Sequence, residues 1–433
     1  MWATATPTWC RAVQQQMARL VWAQGFLFDA LSLYLKELTD LMPEQLSVCY
    51  LVNSGSEAND LALRMARAYT QHEDVIVLEG AYHGNLGSVA DISPKLFAAS
   101  RANMKGHVHV ATLPDTYRGP HRETEPEAGA LYAADVRRLL DAMENDGRRV
   151  AAFVSECILT NCGMVVPPAD YFSKVYSQVR ARGGLCIIDE VQTGLGRIGS
   201  HTWAFQSYGV VPDIVTLGKP LGNGHPMSAV ITRREIAENL GDYYSTFGGN
   251  PVSCAVGLAV LEVMHNEKLM SSATNVGRHL KESLRGLMPK YSCVGDVRGK
   301  GLCLGVDIVM TRENRKPDPA MARAICLRLK DARIITYTVG PANNVLLFTP
   351  PMCFTMSNAC AVVATLDRVL EQLERDGPRT TDTGAGLWRV EQMMDVTSLR
   401  DLTERASLSR TRSDDTDEDE AAAKRRRIYE EVD

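Results

Sequence analysis

No apolar run in this chain is long enough to span a bilayer: the best, residues 21–35, is interrupted by Asp29. Neither sign of charge dominates. The 47 Lys and Arg against 52 Asp and Glu leave a net charge of −5, so nothing global attracts nucleic acid or an anionic membrane surface. No two cysteines stand as Cys-x-x-Cys, and their number, 11, is odd. Several of them (Cys49, Cys157, Cys186, Cys303) sit inside apolar runs and read as reduced core thiols of an intracellular compartment. Internal repeats are absent, which excludes a solenoid. Asp and Glu are missing from the first 28 residues, which carry Arg11 and Arg19. That is the composition of a weak mitochondrial transit peptide and equally of a divergent start, with a cytoplasmic protein as the other outcome.

What is present is a chain of 433 residues, 45% hydrophobic, able to bury a large core. Strand patterns are expected at residues 46–53, 75–78, 151–154, 185–188, 214–217 and 228–231, with helical patterns between several of them. The first strand runs into Ser54-Gly55-Ser56-Glu57, a glycine turn opening a helix, which makes a βα unit. The order predicts an α/β protein with a mostly parallel, doubly wound sheet. A long helical pattern over residues 255–288, expected to break near Ser271, leads to alternating segments that suit a smaller α+β C-terminal domain. The expected division is a divergent segment 1–25, a large domain 26–255, a small domain 256–375 and a disordered charged tail 376–433, which carries the basic run Lys424 to Arg427.

Asp189 and Lys219 end two short β-branched runs of the kind found in buried parallel strands. In open α/β sheets ligands gather beyond the carboxyl ends of such strands, so both groups are expected in one crevice. A lysine amine there can form a Schiff base with an aldehyde, and a carboxylate can hold a pyridine nitrogen protonated. Glu156 closes another strand at the same edge, and a buried carboxylate there needs a partner. Gly55 and Ser56, at a helix N-terminus, offer free amides and a hydroxyl to an anion, although Ser-Gly-Ser-Glu alone is more often only a helix cap. A lone Gly-Lys after a strand is most often a surface lysine.

The joint pattern Gly183-Gly184-Leu185-Cys186-Ile187-Ile188-Asp189-Glu190-Val191-Gln192-Thr193-Gly194, followed by Pro212-Asp213-Ile214-Val215-Thr216-Leu217-Gly218-Lys219, resembles the signature of class III pyridoxal-phosphate-dependent aminotransferases. The resemblance runs from about residue 28 to about 374. It implies fold type I, pyridoxal 5′-phosphate as cofactor and no metal. It further implies that Lys219 carries the cofactor, Asp189 binds its ring nitrogen, and Gly55 and Ser56 cup its phosphate. Tyr82 and Val191 would cover opposite ring faces, with Gln192 at the 3′ oxygen and His83 either a substrate contact or a structural donor. Thr246 would reach the phosphate of a neighbouring subunit, making the protein at least a homodimer. Glu156 would pair with Arg298, which binds a substrate carboxylate when the glutamate releases it.

Gly222-Asn223-Gly224-His225-Pro226, Pro114-Asp115-Thr116-Tyr117-Arg118-Gly119-Pro120 and Pro350-Pro351-Met352-Cys353-Phe354 look like the phospho-lyase branch of that family. Members of this branch act on ethanolamine phosphate or 5-phosphohydroxy-L-lysine; His225 then joins the substrate contacts. The expected reaction is elimination of phosphate from O-phosphoethanolamine, giving acetaldehyde, ammonia and phosphate. The alternatives are 5-phosphohydroxy-L-lysine as substrate, an aminotransferase, or a non-catalytic member. The family pattern begins only near residue 26, so part of the small domain and substrate entrance is expected to be missing.

Overall fold

A computed structural model describes residues 6–23, 25–97 and 104–376; the expected tail lies, from residue 377 on, outside the described residues. Seven strands form the main sheet: β1 (Val48–Val52), β2 (Asp74–Leu78), β3 (Val108–Ala111), β4 (Val150–Glu156), β5 (Leu185–Asp189), β6 (Ile214–Leu217) and β7 (Ser228–Thr232). Their order is β1-β7-β6-β5-β4-β2-β3, with β6, β5, β4, β2 and β3 parallel and β7 antiparallel to both its neighbours. The apolar runs are continuous because both faces are covered. Along β2, Val75 and Val77 enter one buried cluster while Ile76 and Leu78 enter the other, and Cys186 and Ile188 alternate with Leu185 and Ile187 in the same way along β5. That is a doubly wound sheet, with each large side chain so buried worth roughly 1.5–3 kcal/mol.

β3 is absent from the sequence expectations. It is a four-residue edge strand containing His109, whose ring meets Asp74, so its hydrophobic pattern is too short and too polar to read. Cys157, Cys186 and Cys303 are buried as expected, whereas Cys49 is half-buried.

A second, antiparallel sheet, in the order β10-β11-β9-β8, comprises β8 (Val294–Lys300), β9 (Cys303–Ile308), β10 (Thr338–Val339) and β11 (Val345–Phe348). β8 and β9 form a tight hairpin. Gly299 stands at φ +113, and a Cβ there would lie 2.0 Å from the carbonyl oxygen of Cys303, so only glycine fits. The long helical pattern divides into Pro251–Asn266 and Leu269–Arg285, and the break falls at Glu267 and Lys268 rather than Ser271. Lys268 adopts the left-handed conformation (φ 50), which ends one helix and starts the next.

Residues 7–19 form a helix capped by Thr6 and opened by Pro7. It packs along the helix Pro251–Asn266, and Trp9 Nε1 donates to the carbonyl of Gly222, 3.3 Å away.

Candidate active site

Parallel strands aligned in register deliver their last residues to one edge. Glu156 and Asp189 are register partners at the ends of β4 and β5, and Lys219 follows β6 after a single glycine. The turn after β1 brings in the N-terminus of the helix Gly55–Thr70. Together they line a cavity of about 320 Å³ with Tyr82, His83, Val191, Gln192 and His225.

The helix start is built locally. Ser54 caps it, accepting from the Glu57 amide at 3.2 Å, and the Glu57 carboxylate accepts from the backbone and side-chain amides of Asn53 at 2.9 Å. These bonds leave the Gly55 and Ser56 amides without acceptors among the described residues, pointing positive dipole at the cavity. Val191 wedges this turn: a Cβ at Gly55 would meet its Cγ1 at 2.9 Å, and one at Gly218 would meet it at 3.0 Å. Bare glycines therefore let the helix start and the lysine strand close on the same valine.

Asp189 is held by three donors. Asn59 Nδ2 and His83 Nδ1 reach its Oδ2 at 2.8 and 2.9 Å, and the Val191 amide reaches its Oδ1 at 3.0 Å. A carboxylate has about four lone-pair sites, so one acceptor position remains, on Oδ1, for a ring N–H. Asn59 is itself fixed, donating also to the His83 carbonyl at 2.8 Å and accepting from Thr216 Oγ1 at 2.7 Å. Sequence reasoning assigned no role to Asn59 or Thr216. The signal for Asn59 was a polar residue within the buried stripe Ala58, Leu61, Ala62. His83 serves here as a donor to Asp189, and its Nε2 has no partner.

Glu156 is 4% exposed; Thr160 N approaches its Oε2 at 3.4 Å, and its Oε1 has no partner among the described residues. Burial first, and the adjacent Asp189 second, push its carboxyl up to about 8. The expected ion pair with Arg298 does not form. Arg298 instead bonds Asp307 at 2.9 Å, Asp296 at 3.0 Å and the Gly163 carbonyl at 2.7 Å, and it does not line the cavity. Asp307, fully buried, also holds Arg118 and accepts from Asn344 at 2.7 Å. The physical reason is proximity. Asp307 lies diagonally across the β8–β9 hairpin from Arg298 and, with Asp296 and the Gly163 carbonyl, engages all three guanidinium nitrogens.

His225 lines the cavity with its Nε2 2.8 Å from Ser253 Oγ, and burial lowers its pKa. Thr246 lies apart, in a second cavity of about 450 Å³, where its carbonyl accepts from Trp22 Nε1 at 2.8 Å. The structure thus brings together Lys219, Asp189, Gly55, Ser56, Tyr82, Glu156, Val191, Gln192 and His225, and leaves Thr246 and Arg298 outside.

The profile described as aminotransferase class-III matches residues 4–370. This chain is a class III aminotransferase family member. The match begins ahead of residue 26, where the sequence pattern becomes recognisable. An alanine–glyoxylate aminotransferase 2-like protein of Drosophila melanogaster is 45% identical over 362 residues, 82% of this chain and 73% of that protein. Ethanolamine-phosphate phospho-lyase homolog 1 of Caenorhabditis elegans is 43% identical over 385 residues, 85% of this chain and 82% of the other. Among solved structures, a phospholyase from Arthrobacter in complex with phosphoethanolamine is 35% identical, with a TM-score of 0.81 covering 85% of this chain and 87% of that one. An amine transaminase from an uncultivated Pseudomonas species in its pyridoxal-phosphate-bound form is 27% identical, with a TM-score of 0.77 covering 85% and 87%.

The family's cofactor is pyridoxal phosphate, and the residues fit it. The remaining acceptor position of Asp189 suits a pyridinium N–H, the helix start suits a phosphate, and the Lys219 amine lies on the same cavity wall. When bound, the cofactor supplies an electron sink for the charge left at the carbon beside a substrate's nitrogen.

Proposed function

We propose that this class III family member is a phospho-lyase that eliminates phosphate from a small phosphorylated amine, with O-phosphoethanolamine as substrate. The observation that carries the reading is the joining of Lys219, Asp189 and the Gly55–Ser56 helix start in one cavity, in a fold shared with a phosphoethanolamine-binding phospholyase. The commitment of Arg298 to Asp307 supports it, because among the described residues no arginine lines the cavity to take a substrate carboxylate.

In this reading Lys219 would hold the cofactor and its amine would take the proton beside the substrate's nitrogen. Asp189, oriented by Asn59, His83 and the Val191 amide, would keep the ring nitrogen protonated. Gly55 and Ser56 would hold the cofactor phosphate, with Tyr82, Val191 and Gln192 the residues that would hold the ring. The phosphate on the next carbon then leaves with the C–O bonding pair. With one water, O-phosphoethanolamine yields acetaldehyde, ammonia and inorganic phosphate, and no oxidant is needed. We further propose a homodimer in which Thr246 reaches the partner's cofactor phosphate, a large domain over 26–255 with a small one over 256–375, and a mitochondrial location, otherwise cytoplasmic. Relatives named as mitochondrial support that location.

The test follows inorganic phosphate and acetaldehyde after adding O-phosphoethanolamine to the cofactor-loaded protein, with the visible absorbance recorded alongside. Both products are expected in equal amounts, and Lys219→Ala is expected to lose at least 10²–10⁴-fold in rate. Glutamate formed from an amine and 2-oxoglutarate, without phosphate release, would instead identify an aminotransferase. Phosphate released from 5-phosphohydroxy-L-lysine alone would move the substrate assignment.

A further inference from the structure

We infer that Lys95 is the anchor for the substrate's phosphate, an assignment that rests on the phospho-lyase reading. A phosphorylated amine brings two negative charges into the site. Among the described residues, the one lysine lining the cavity, Lys219, is committed to the reacting amine, the site's histidines are engaged by Asp189 and Ser253, and no arginine lines it. Lys95 supplies the missing charge. It sits in the short helix Pro94–Phe97, and its backbone N–H donates to the carbonyl of Ala81, 3.1 Å away, next in sequence to the cavity residue Tyr82.

Its ammonium reaches two lining residues. Lys95 Nζ donates to Asn161 Oδ1 at 2.5 Å and stands 5.9 Å from the centroid of the Tyr82 ring. No carboxylate stands within ion-pair distance of it among the described residues, and the Asn161 amide oxygen positions it. The ammonium and that of Lys219 also act together on Glu156, both opposing the upward push on its carboxyl. A substrate whose amine and phosphate are two carbons apart would bind with the amine at Lys219 and the phosphate at Lys95. Lysine serves phosphate as a strongly attracting point charge with three donors, and Asn161 offers its amide N–H groups beside it.

The test substitutes Lys95, which is exposed and carries no structural load, in the cofactor-loaded protein. Lys95→Met is expected to raise KM for O-phosphoethanolamine roughly 10- to 100-fold with kcat within about threefold, since a charge-assisted hydrogen bond made equally in ground and transition states is lost. Lys95→Arg is expected to restore KM to within about fivefold. Calorimetric titration of inorganic phosphate into the cofactor-loaded wild type and Lys95→Met should show a matching loss of affinity, with the visible band unchanged. Turnover by wild type with KM and phosphate affinity unaltered in Lys95→Met overturns the anchor and leaves the lyase standing. If wild type does not release phosphate, the lyase reading fails, and equal phosphate affinity in the two proteins overturns the anchor as well.

Discussion

At the residue scale, the site turns on two carboxylates in identical register positions with opposite surroundings. Asp189 accepts from three donors, whereas Glu156 has a single weak one and an oxygen with no partner among the described residues. The difference makes Glu156 a pH-dependent cost. The unfolded chain releases this proton near the ordinary value of 4.5, while the folded chain keeps it up to about 8. Folded protein therefore binds more protons than unfolded protein between those values, and stability falls as pH rises through that window and levels off above it. Glu156→Gln removes this term. Its stability relative to wild type, measured by denaturant unfolding without added cofactor, should climb from about pH 4.5 to about 8 and then stay constant. A difference flat across that range would show that the folded carboxyl is already ionised. Asn59 has the reverse character, since each of its amide atoms is bonded. Asn59→Ala should cost about 1–3 kcal/mol in unfolding free energy, because it strips donors or acceptors from Asp189, Thr216 and the His83 carbonyl. It should also weaken cofactor binding, read as a shift in the titration of the visible band.

At the element scale, the proposed cofactor-phosphate site depends on how closely the turn after β2 approaches the helix Gly55–Thr70. Gly84, at φ +135, is the point of contact: a Cβ there would lie 2.5 Å from Ser56 Oγ and 2.9 Å from its Cα. Gly84→Ala therefore strains its own backbone and displaces Ser56 at the helix start. Cofactor affinity should fall at least about tenfold with little change in far-ultraviolet circular dichroism, since the distortion is confined to the first turn. Elements of this sheet were legible because their apolar runs are bounded by turn residues, so Ile214–Leu217 agrees with its expectation residue for residue. The Arg298 partner was not. The sequence shows a carboxylate at a strand end and an arginine in a glycine-rich hairpin, but not that Asp307 on the returning strand lies nearer. Reading residues 298–307 as a two-stranded unit, with a diagonal Arg–Asp pair, carries that information.

At the scale of the whole molecule, the lysine proposed to carry the cofactor is supported from the far end of the chain. The 3₁₀ turn Lys219–Leu221 leads into Gly222, and the carbonyl of Gly222 accepts from Trp9 in the helix Pro7–Arg19. Nothing in the composition of residues 1–25 predicted this contact, because a contact across 213 positions leaves no local pattern. Trp9 is partly buried against the main core, so its loss removes both packing and the indole donor. Trp9→Ala should lower the unfolding free energy by about 1–3 kcal/mol, less than for a fully buried tryptophan. It should also weaken cofactor retention several-fold by loosening the turn that carries Lys219. Trp9→Phe separates the two contributions. It keeps most of the apolar area but leaves the Gly222 carbonyl to water, so stability should recover more than cofactor retention does. Equal recovery of both would mean that the helix acts on Lys219 through packing alone, and no effect of Trp9→Ala on either would detach residues 7–19 from the site.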